Sequence, residues 1–473
     1  MPAVGFDRRC VVALAAAMAG CALQSPPGPA QLQADALRNA TVPGAWKSPG
    51  GVAQPVADAW LASFNDPTLS ALVAEAITYN ADLRAAAAVV EQANGYLQVA
   101  SAPLLPTVNF AGATSGKSSG GSGLSGIFLN ASLELDIWGR VRYGQSAAEQ
   151  SALAAAADYA YARQSLAATV AKSWFLAIET GLQREIALDS LRSAESLQQV
   201  AADRLRIGSG NEQSVAVARA NVGSFRDSLR QIELSREQAL RALELLLGRY
   251  PAAEIAVASA LNAMPPPPPV GLPSQLLERR PDVIAAERRV AAAFNRVGEA
   301  RTAQLPRISL TASISSISSD LFVLKERSNP VWGVGANLLA PLFQGGALRA
   351  QVDIRTAEQK QAVAAYASAG LRAFNEVEGA LSAENALRDR AALLAATVRD
   401  NARALELSQI QFRVGSVDVS AVQQRQLSLY SVRMSQLRVQ SEQLAQRVNL
   451  HLALGGSFEA PPATAAAAAS AAS

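Results

Sequence analysis

Few residues of this chain could do covalent or metal chemistry. Its 473 residues include two cysteines, Cys10 and Cys21, and a single histidine, His451. Thiolate and imidazole groups serve as nucleophiles, general bases and metal ligands, but such sites bring several of these groups together. One isolated histidine supplies neither a catalytic pair nor a metal cluster. We therefore expect that the chain is not an enzyme and that it needs no metal and no other cofactor.

The positions of His451 and of two acidic residues favour structural roles. His451 continues an apolar series with steps of three and four residues that includes Leu444 and Val448. This spacing predicts a histidine that packs among helices. Glu376 and Glu378 lie in a stretch with helical composition, and we expect them on a solvent-exposed helix face.

The segment before Cys21 has the pattern of an export signal. Arg8 and Arg9 form a positive end, and the apolar run over residues 10–19 that follows is too short to span a bilayer. This pattern predicts a signal peptide over residues 1–20. Because Cys10 leaves with this peptide, the mature chain cannot form an internal disulfide.

The residues before Cys21, Met18-Ala19-Gly20, resemble a bacterial lipobox, with Met18 in place of the usual leucine. The resemblance implies cleavage before Cys21 and acylation of its sulfur, which makes Cys21 the candidate lipidation site. The alternative is ordinary signal cleavage nearby, which would leave a free thiol. Ala22 rather than aspartate follows the cysteine, and the lipoprotein sorting rule then favours the outer membrane.

Composition indicates long helices and excludes one class of partner. Hydrophobic residues make up 50% of the chain but aromatic residues only 5%. Such a composition is typical of long helices rather than of a thick globular core. The formal net charge is +3, and the chain has no basic run. We therefore expect no nucleic-acid partner.

Both halves of the chain contain the same landmarks. The first recurs after 200 residues and the later ones after 207, which indicates a duplicated unit. The pairs are Asn80-Ala81-Asp82-Leu83 with Arg280-Pro281-Asp282-Val283, Arg206-Ile207-Gly208-Ser209 with Arg413-Val414-Gly415-Ser416, and Leu247-Gly248 with Leu454-Gly455. The predicted plan is a signal peptide at 1–20, a lipidated extended tether at 21–60, a first repeat at 61–264, a proline-rich linker at 265–273, a second repeat at 274–458 and a disordered alanine-rich tail at 459–473.

Long helices are predicted where proline is absent. No proline occurs in residues 139–250 or 342–460, and uninterrupted helix fits such stretches. A helix over residues 140–206 would be about 100 Å long and would need partner helices to cover it. Apolar residues recur at steps of three and four, as in Leu427, Tyr430, Met434 and Leu437. This spacing predicts a coiled-coil seam. The core of an ordinary helix bundle would give the same periodicity.

Two short segments with a period of two precede each long helix. Residues 127–137, 308–314 and 332–338 alternate between apolar and mostly polar side chains, and residues 107–114 do so more weakly. This period predicts strands that have one apolar and one polar face. Each half is therefore expected to contain a helix, two strands, a long helix and a shorter helix.

Four strands are too few to close a membrane barrel. Bacterial barrels start at eight strands, and an open edge in lipid leaves backbone groups unsatisfied. The strands therefore either cover a soluble core or join the strands of other copies, and three copies would give twelve strands around a lumen. Aromatic residues near the strand ends would then form a membrane girdle, with strand-end packing as the alternative. They are Phe128, Trp138, Trp332 and Phe343.

Several motifs resemble the TolC-like outer-membrane efflux factor family, and in particular its NodT/OprM-like lipoprotein branch. They extend over residues 60–458 and are specific when taken together. They are Trp60, Phe64, Asp66-Pro67 and Leu69; Asp136-Ile137-Trp138-Gly139-Arg140; Leu277-Glu278-Arg279-Arg280-Pro281-Asp282-Val283; Pro341-Leu342-Phe343-Gln344-Gly345-Gly346; and Val448-Asn449-Leu450 with Ala453-Leu454-Gly455-Gly456.

This resemblance implies a mainly α fold with a small β part, in which a duplicated unit of long coiled-coil helices and two β-hairpins assembles as a homotrimer. The trimer would form a 12-stranded β-barrel in the outer membrane of a Gram-negative bacterium and an α-helical barrel in the periplasm. It would be the passive exit duct of a tripartite RND-type efflux system for small amphipathic substrates such as drugs. The implied partners are a periplasmic adaptor (membrane fusion) protein, an inner-membrane RND pump and outer-membrane lipid.

The resemblance also implies roles for residues at two interhelical turns. Arg206 and Gly208, and Arg413 and Gly415, would form the periplasmic tip on which the adaptor docks, although a plain turn is the alternative. Many relatives carry an acidic residue about nine positions after this glycine, in a ring that narrows the pore. This chain has Gln424 there. Asp418 lies closer to the turn, so both residues are candidates for the pore gate.

Two other functions remain open from the sequence. The same fold serves as the exit duct of type I protein secretion systems. A periplasmic coiled-coil lipoprotein without a pore would also share the helical periodicity and the lipidated cysteine.

Overall fold

The structure is a computed structural model that describes residues 23–50, 54–114, 124–319 and 331–459. The predicted signal peptide, Cys21 and the predicted tail beyond Glu459 lie outside the described residues. The chain forms two compact units. Unit 1 contains the described residues up to 41 together with 87–158 and 282–369, and unit 2 contains 42–86, 159–281 and the described residues from 370 onward.

Long helices dominate the described residues, and the prediction of a mainly helical fold with a small β part is confirmed. The helices are α1 (Pro29–Ala36), α2 (Pro67–Tyr79), α3 (Ala81–Ser101), α4 (Arg140–Arg206), α5 (Glu212–Leu246), α6 (Pro273–Arg279), α7 (Pro281–Thr302), α8 (Ala347–Arg413) and α9 (Val419–Ala453). The strands are β1 (Thr107–Thr114), β2 (Leu124–Leu135), β3 (Arg307–Ser319) and β4 (Val331–Leu339). None of the described helices combines the length and the apolar character needed to cross a lipid bilayer.

The lengths of the helices reflect the duplication. The long helices α4 and α8 each contain 67 residues. The helices that follow them, α5 and α9, each contain 35. Both pairs are offset by 207 positions, since 347 minus 140 and 419 minus 212 give the same number. The offset inferred from the turn motifs therefore extends over whole elements.

The sheet of unit 1 is antiparallel, with strand order β1-β2-β3-β4. Its register places Leu129 opposite both Phe110 and Ile314, and Ile314 opposite Trp332. Because residues directly opposite each other share a face, these residues form one apolar face across all four strands. The opposite face carries Asn130 and its neighbours of the same parity, which are mostly polar. The two-faced strands predicted from the alternation are therefore present.

A tight corner connects β2 to the long helix α4. The carboxylate of Asp136 accepts hydrogen bonds from the backbone N–H groups of Val141 and Arg142, at 2.9 and 3.0 Å. These bonds satisfy donors that have no partner within the first turn of a helix. Arg140 donates two hydrogen bonds to the carboxylate of Glu134, at 3.0 and 2.8 Å. The corner motif thus sets the direction in which the helix leaves the sheet.

The main apolar core of unit 2 gathers large side chains around the middle of α4. Trp174 and Phe175 are buried there with Phe64, Leu243 and Val448. The indole N–H of Trp174 donates to the carboxylate of Asp66 at 2.8 Å, and the same carboxylate caps α2. The opening motif near residue 60 therefore works as part of this core.

The N-terminal segment differs from the predicted extended tether. Residues 29–36 form α1, which has proline in its first turn. In unit 2, the indole N–H of Trp46 donates to the carbonyl oxygen of Val270 at 3.2 Å, and the amide of Asn385 donates to the carbonyl oxygen of Pro49 at 2.6 Å. We call residues 46–50 the arm. The arm is therefore held by hydrogen bonds, and residues 29–36 of the predicted extended tether are helical.

Glu376 lies on an exposed helix face, as predicted, and Glu378 is half-buried, but both carboxylates have specific partners. Glu376 pairs with the guanidinium of the buried Arg280 at 2.6 Å. Glu378 accepts hydrogen bonds from the backbone N–H groups of Lys47 and Ser48, both at 2.8 Å. Burial alone would raise the pKa of the Glu378 carboxyl, but these hydrogen bonds hold it below its ordinary value. Periodicity could not show these contacts, because the partners are about 100 and 330 positions away.

Candidate functional site at the interhelical turns

The turns after α4 and α8 have the same backbone geometry. Gly208 and Gly415 adopt φ values of +73° and +79°, a left-handed conformation that favours glycine. The N–H of Ser209 donates to the carbonyl oxygen of Arg204 at 2.9 Å, and the N–H of Ser416 donates to that of Gln411 at 2.9 Å. This pattern is the Schellman motif, which ends a helix by satisfying its last carbonyl groups. The two predicted turns are therefore structurally equivalent.

Each turn presents an exposed aliphatic side chain beside an arginine. Ile207 is 72% exposed and Val414 is 75% exposed. Arg206 pairs with Asp203 at 3.1 Å, but both groups are largely exposed, so the pair contributes little stability. Arg413 is exposed as well. The turns thus offer apolar contact area and positive charge together, a combination that suits a protein partner.

Arg204 links the ends of α4 and α8, and the sequence analysis missed it. Its guanidinium carbon lies 4.0 Å from the ring centroid of Phe412, and its Nη2 donates to the carbonyl oxygen of Phe412 at 3.2 Å. The contact therefore combines a cation–π interaction with a charged hydrogen bond to a helix end. The second repeat has Gln411 at the equivalent position, 207 residues later. This difference between otherwise matching repeats is the only feature of the sequence that could have drawn attention to Arg204.

The gate candidate Asp418 is the N-cap of α9. Its carboxylate accepts from the N–H of Val419 at 2.6 Å, and it lies 3.4 Å from the hydroxyl of Ser214. Its counterpart in the first repeat, Asn211, caps α5 by accepting from the N–H of Ser214 at 2.7 Å. Gln424, the other gate candidate, is exposed on α9. Both residues therefore lie close to the turn, Asp418 with a structural role of its own.

The sheet brings together only some of the candidate girdle residues. Trp332 lies on the apolar face and is 75% exposed, and Phe343, beyond the end of β4, is 89% exposed. Phe128 is paired with Ser315 and Ala111, so it lies on the opposite, polar face and is half-buried. Trp138 follows β2 and donates its indole N–H to the carbonyl oxygen of Pro306 at 2.7 Å. Phe128 therefore does not share a surface with Trp332.

The arginine-rich motif before α7 closes the end of α9. Arg280 donates to the carbonyl oxygen of Ala453 at 3.1 Å, and Arg279 donates to that of Gly455 at 3.1 Å. In the first repeat, the amide of Asn80 donates to the carbonyl oxygen of Leu246 at 2.9 Å. Leu246 and Ala453 are equivalent, since they are 207 positions apart. The equivalent helix-end carbonyl thus accepts a hydrogen bond in both repeats, from an asparagine amide in the first and from an arginine in the second.

His451 is buried and packs against an aromatic ring, as its position in the apolar series predicts. Its ring stacks on Trp60 with centroids 5.7 Å apart and an interplanar angle of 18°. Burial, together with the nearby charge of Arg447, lowers the pKa of His451 to about 4. Among the described residues, no group of three or more His, Cys, Asp and Glu side chains is arranged to hold a metal ion.

Comparison with known proteins agrees with the duplicated architecture. A family model described as "Outer membrane efflux protein" matches residues 72–249 and 272–456, one segment in each repeat. The cation efflux system protein CusC of Escherichia coli O6:H1 is 31% identical over 408 residues, which cover 85% of this chain and 88% of CusC. The pyoverdine export outer membrane protein OpmQ of Pseudomonas aeruginosa is 32% identical over 419 residues, which cover 85% and 87% of the two chains.

A solved structure has the same fold. The crystal structure of the open state of the MtrE outer membrane channel of Neisseria gonorrhoeae aligns with a TM-score of 0.77 at 28% identity. The alignment covers 93% of this chain and 98% of MtrE. The fold, the match in both repeats and the extent of identity agree with one another. This chain therefore belongs to the outer membrane efflux protein family, and it is an outer-membrane exit channel rather than an enzyme.

Proposed function

We propose that this chain is the homotrimeric exit duct of a tripartite RND-type efflux system and passively conducts small amphipathic compounds out of the cell. A periplasmic adaptor would join it to an inner-membrane pump, which would supply the energy. Cys21 would carry the lipid that anchors each subunit in the outer membrane.

The open sheet is the observation that carries this proposal. Among the described strands, β1 pairs only with β2 and β4 only with β3, so the sheet has two free edges. Its apolar face is exposed in the single chain, with Val334 76% exposed and Leu338 69% exposed. Unpaired edges and a bare apolar face are unfavourable in water, and unpaired edges are more unfavourable in lipid. Pairing with the strands of further copies would remove the free edges, and the lipid of the membrane would cover the apolar face.

The number of copies follows from the size of the resulting barrel. Two copies would give eight strands, whose interior side chains would fill the space inside. Three copies would give twelve strands, which leave a lumen. The polar face of the sheet, with Asn130, Ser132 and Glu134 on β2, suits the water of such a lumen.

Conductance and cross-linking together test the duct. We expect purified protein to give discrete channels in planar bilayers. Cysteines placed in turn along β4, combined with one cysteine on β1, should trap trimers through β1–β4 contacts between subunits. A stable monomer that yields no cross-linked species and no conductance would contradict the proposal.

The turns are the proposed adaptor-docking sites, through Arg206 and Gly208 and through Arg413 and Gly415. The exposed side chains of Ile207 and Val414 support this assignment. The double substitution Ile207→Asp and Val414→Asp should weaken adaptor binding by at least about tenfold, because it replaces apolar contacts with desolvated charges. Trimer formation should be unchanged, since neither side chain is buried in the described chain. Binding can be measured by surface plasmon resonance. Unchanged affinity would place adaptor docking elsewhere.

Lipidation at Cys21 has a direct test. Cys21→Ser should abolish incorporation of labelled palmitate, because serine lacks the sulfur that the acylating enzymes modify. We expect the trimer to persist, since closure of the sheet does not require the lipid. Palmitate labelling that survives the substitution would exclude Cys21 as the acylated residue.

The cargo and the pump need separate evidence. The two relatives named above are described by different cargoes, cations and pyoverdine, so relatedness does not assign one to this chain. A type I secretion duct would copurify with an ATP-driven exporter, whereas the proposed system would copurify with an RND pump. Affinity purification after cross-linking in the native membrane distinguishes these two partners.

A further inference from the structure

Three buried amide side chains interrupt the apolar packing of the helices in unit 2. Asn221 of α5 and Gln423 and Gln426 of α9 are each more than nine-tenths buried. We call these three residues the amide layer. Nδ2 of Asn221, both polar atoms of Gln423 and Oε1 of Gln426 have no hydrogen-bond partner among the described residues. Nε2 of Gln426 donates to the carbonyl oxygen of Ser190 on α4, at 3.2 Å.

The glutamine pair of the amide layer separates two apolar clusters along α9. Before it, Val419 and Val422 are buried with Phe412 near the interhelical turn. After it, Tyr430 packs edge-on against Phe225 of α5, with ring centroids 5.1 Å apart. The amides therefore occupy positions that the neighbouring turns of the same bundle fill with apolar residues.

The two glutamines of the layer have no buried counterparts in the first repeat. The residues 207 positions before Gln423 and Gln426 are Ala216 and Arg219, and both are exposed. The first repeat therefore does not bury amides at the equivalent positions of α5. The pair of buried glutamines is therefore a feature of α9 rather than of the duplicated unit.

A buried amide without a partner favours separation of the helices that enclose it. In the packed state it loses its bonds to water and gains none in return, whereas in the separated state it is hydrated again. Buried apolar residues have the opposite preference. Segments with such a balance are the ones that open locally while the rest of a protein stays folded.

We infer that the amide layer is a built-in region of low stability, at which the first turns of α9 separate from α4 and α5. Gln424, the exposed gate candidate, is the next residue after Gln423 on α9. Separation at the layer would therefore change the position of Gln424 without unfolding the rest of the bundle. This role in gating rests on the proposed function, whereas the local opening itself does not.

Hydrogen exchange measured by mass spectrometry on the trimer in detergent tests the opening. In the wild type, amides of residues 419–430 should exchange faster than those of residues 437–448 on the same helix. Gln423→Met keeps the unbranched shape but removes the amide, and Asn221→Leu is a second, similarly sized replacement. Each should slow exchange at 419–430 by at least about tenfold and leave 437–448 unchanged.

Gln440→Leu is the matched control, because Gln440 is an exposed glutamine on α9. It should leave exchange at 419–430 unchanged. Faster exchange in both amide-layer variants would show that the amides are held by bonds in the folded protein, through water for example, and would overturn the inference. Unchanged exchange in both variants would overturn it as well.

Single-channel recording separates this inference from the proposed function. If the wild type conducts, Gln423→Met should lower the fraction of time that the channel is open. Conduction with no difference between the wild type and Gln423→Met would reject the gating role and leave the duct intact. If the wild type never conducts, the duct fails, and the exchange comparison still decides whether the layer opens.

Discussion

His451 illustrates how one residue can make stability depend on pH. Its pKa is about 4 in the folded chain, compared with an ordinary value of 6.5. The unfolded chain therefore binds a proton at a higher pH than the folded chain does. The free energy of unfolding must then decrease as the pH falls from about 6.5 to about 4, while above this window the group has no effect.

His451→Phe should remove this dependence, because phenylalanine keeps the stack on Trp60 and cannot take up a proton. At about 1.4 kcal/mol per pKa unit, the wild type should lose at most about 3 kcal/mol across the window relative to the variant. Denaturant unfolding at pH 7 and pH 4 measures the difference. Equal pH slopes for the two proteins would show that His451 does not titrate in the way its burial implies.

The residue types and their spacing predicted the surroundings of some of these side chains but not the partners of others. The apolar steps that place His451 in a core are local, so they can be read from the sequence. The partners of Arg280 and of Glu378 are distant in the chain, and a carboxylate on a helix gives no local sign of them. Arg204 was missed for a similar reason, since its contact with Phe412 joins two repeats.

At the scale of the elements, the arm shows that a segment without helix or strand can still be held in place by hydrogen bonds. Glu378 receives two backbone N–H groups, and Ser48 also donates its hydroxyl to the carbonyl oxygen of Glu378 at 3.0 Å. Because Lys47 is exposed but its backbone is bound, trypsin should cleave after Lys47 slowly in the folded protein.

Glu378→Gln should accelerate this cleavage by at least about tenfold, because the amide that replaces the carboxylate turns one acceptor into a donor facing an N–H. Glu358→Gln is the control, since Glu358 pairs with Arg355 one turn away on the surface of α8. Mass spectrometry of timed digests locates the cut. Equal rates in both variants would mean that Glu378 does not hold the arm.

The predictability of each element depended on the kind of signal it carries. The long helices could be predicted because proline is absent, and β1 because its alternation covers the observed strand, Thr107–Thr114. The short helix α1 could not, since it is weakly amphipathic and lies in a proline-rich segment. The face occupied by Phe128 became clear only from the strand register, because aromatic type alone does not distinguish the two faces.

At the scale of the whole molecule, the proposed trimer would place the apolar face of the sheet against lipid and the polar face against water. Val334 lies on the apolar face, and Ser313, one strand away, lies on the polar face. Val334→Lys should destabilise the assembled trimer by about 2–4 kcal/mol, the effect of a lysine on the lipid side near the middle of a bilayer. Ser313→Lys should be tolerated, because it would face water.

The fraction of protein that migrates as a trimer without heating measures this contrast in membranes that contain each variant. Similar loss of trimer in both variants would contradict the assignment of the faces. Loss in Ser313→Lys alone would reverse it.

The two attachments of the N-terminal segment have a mechanical consequence for an anchored protein. Before the arm, the backbone N–H of Gln24 donates to the hydroxyl of Tyr143 in the first repeat at 2.8 Å. The arm then binds Glu378 and Asn385 in the second repeat. A pull transmitted through a lipid on Cys21 would therefore reach the first repeat only three residues from the anchor, and α8 would bear load only after that first contact had broken.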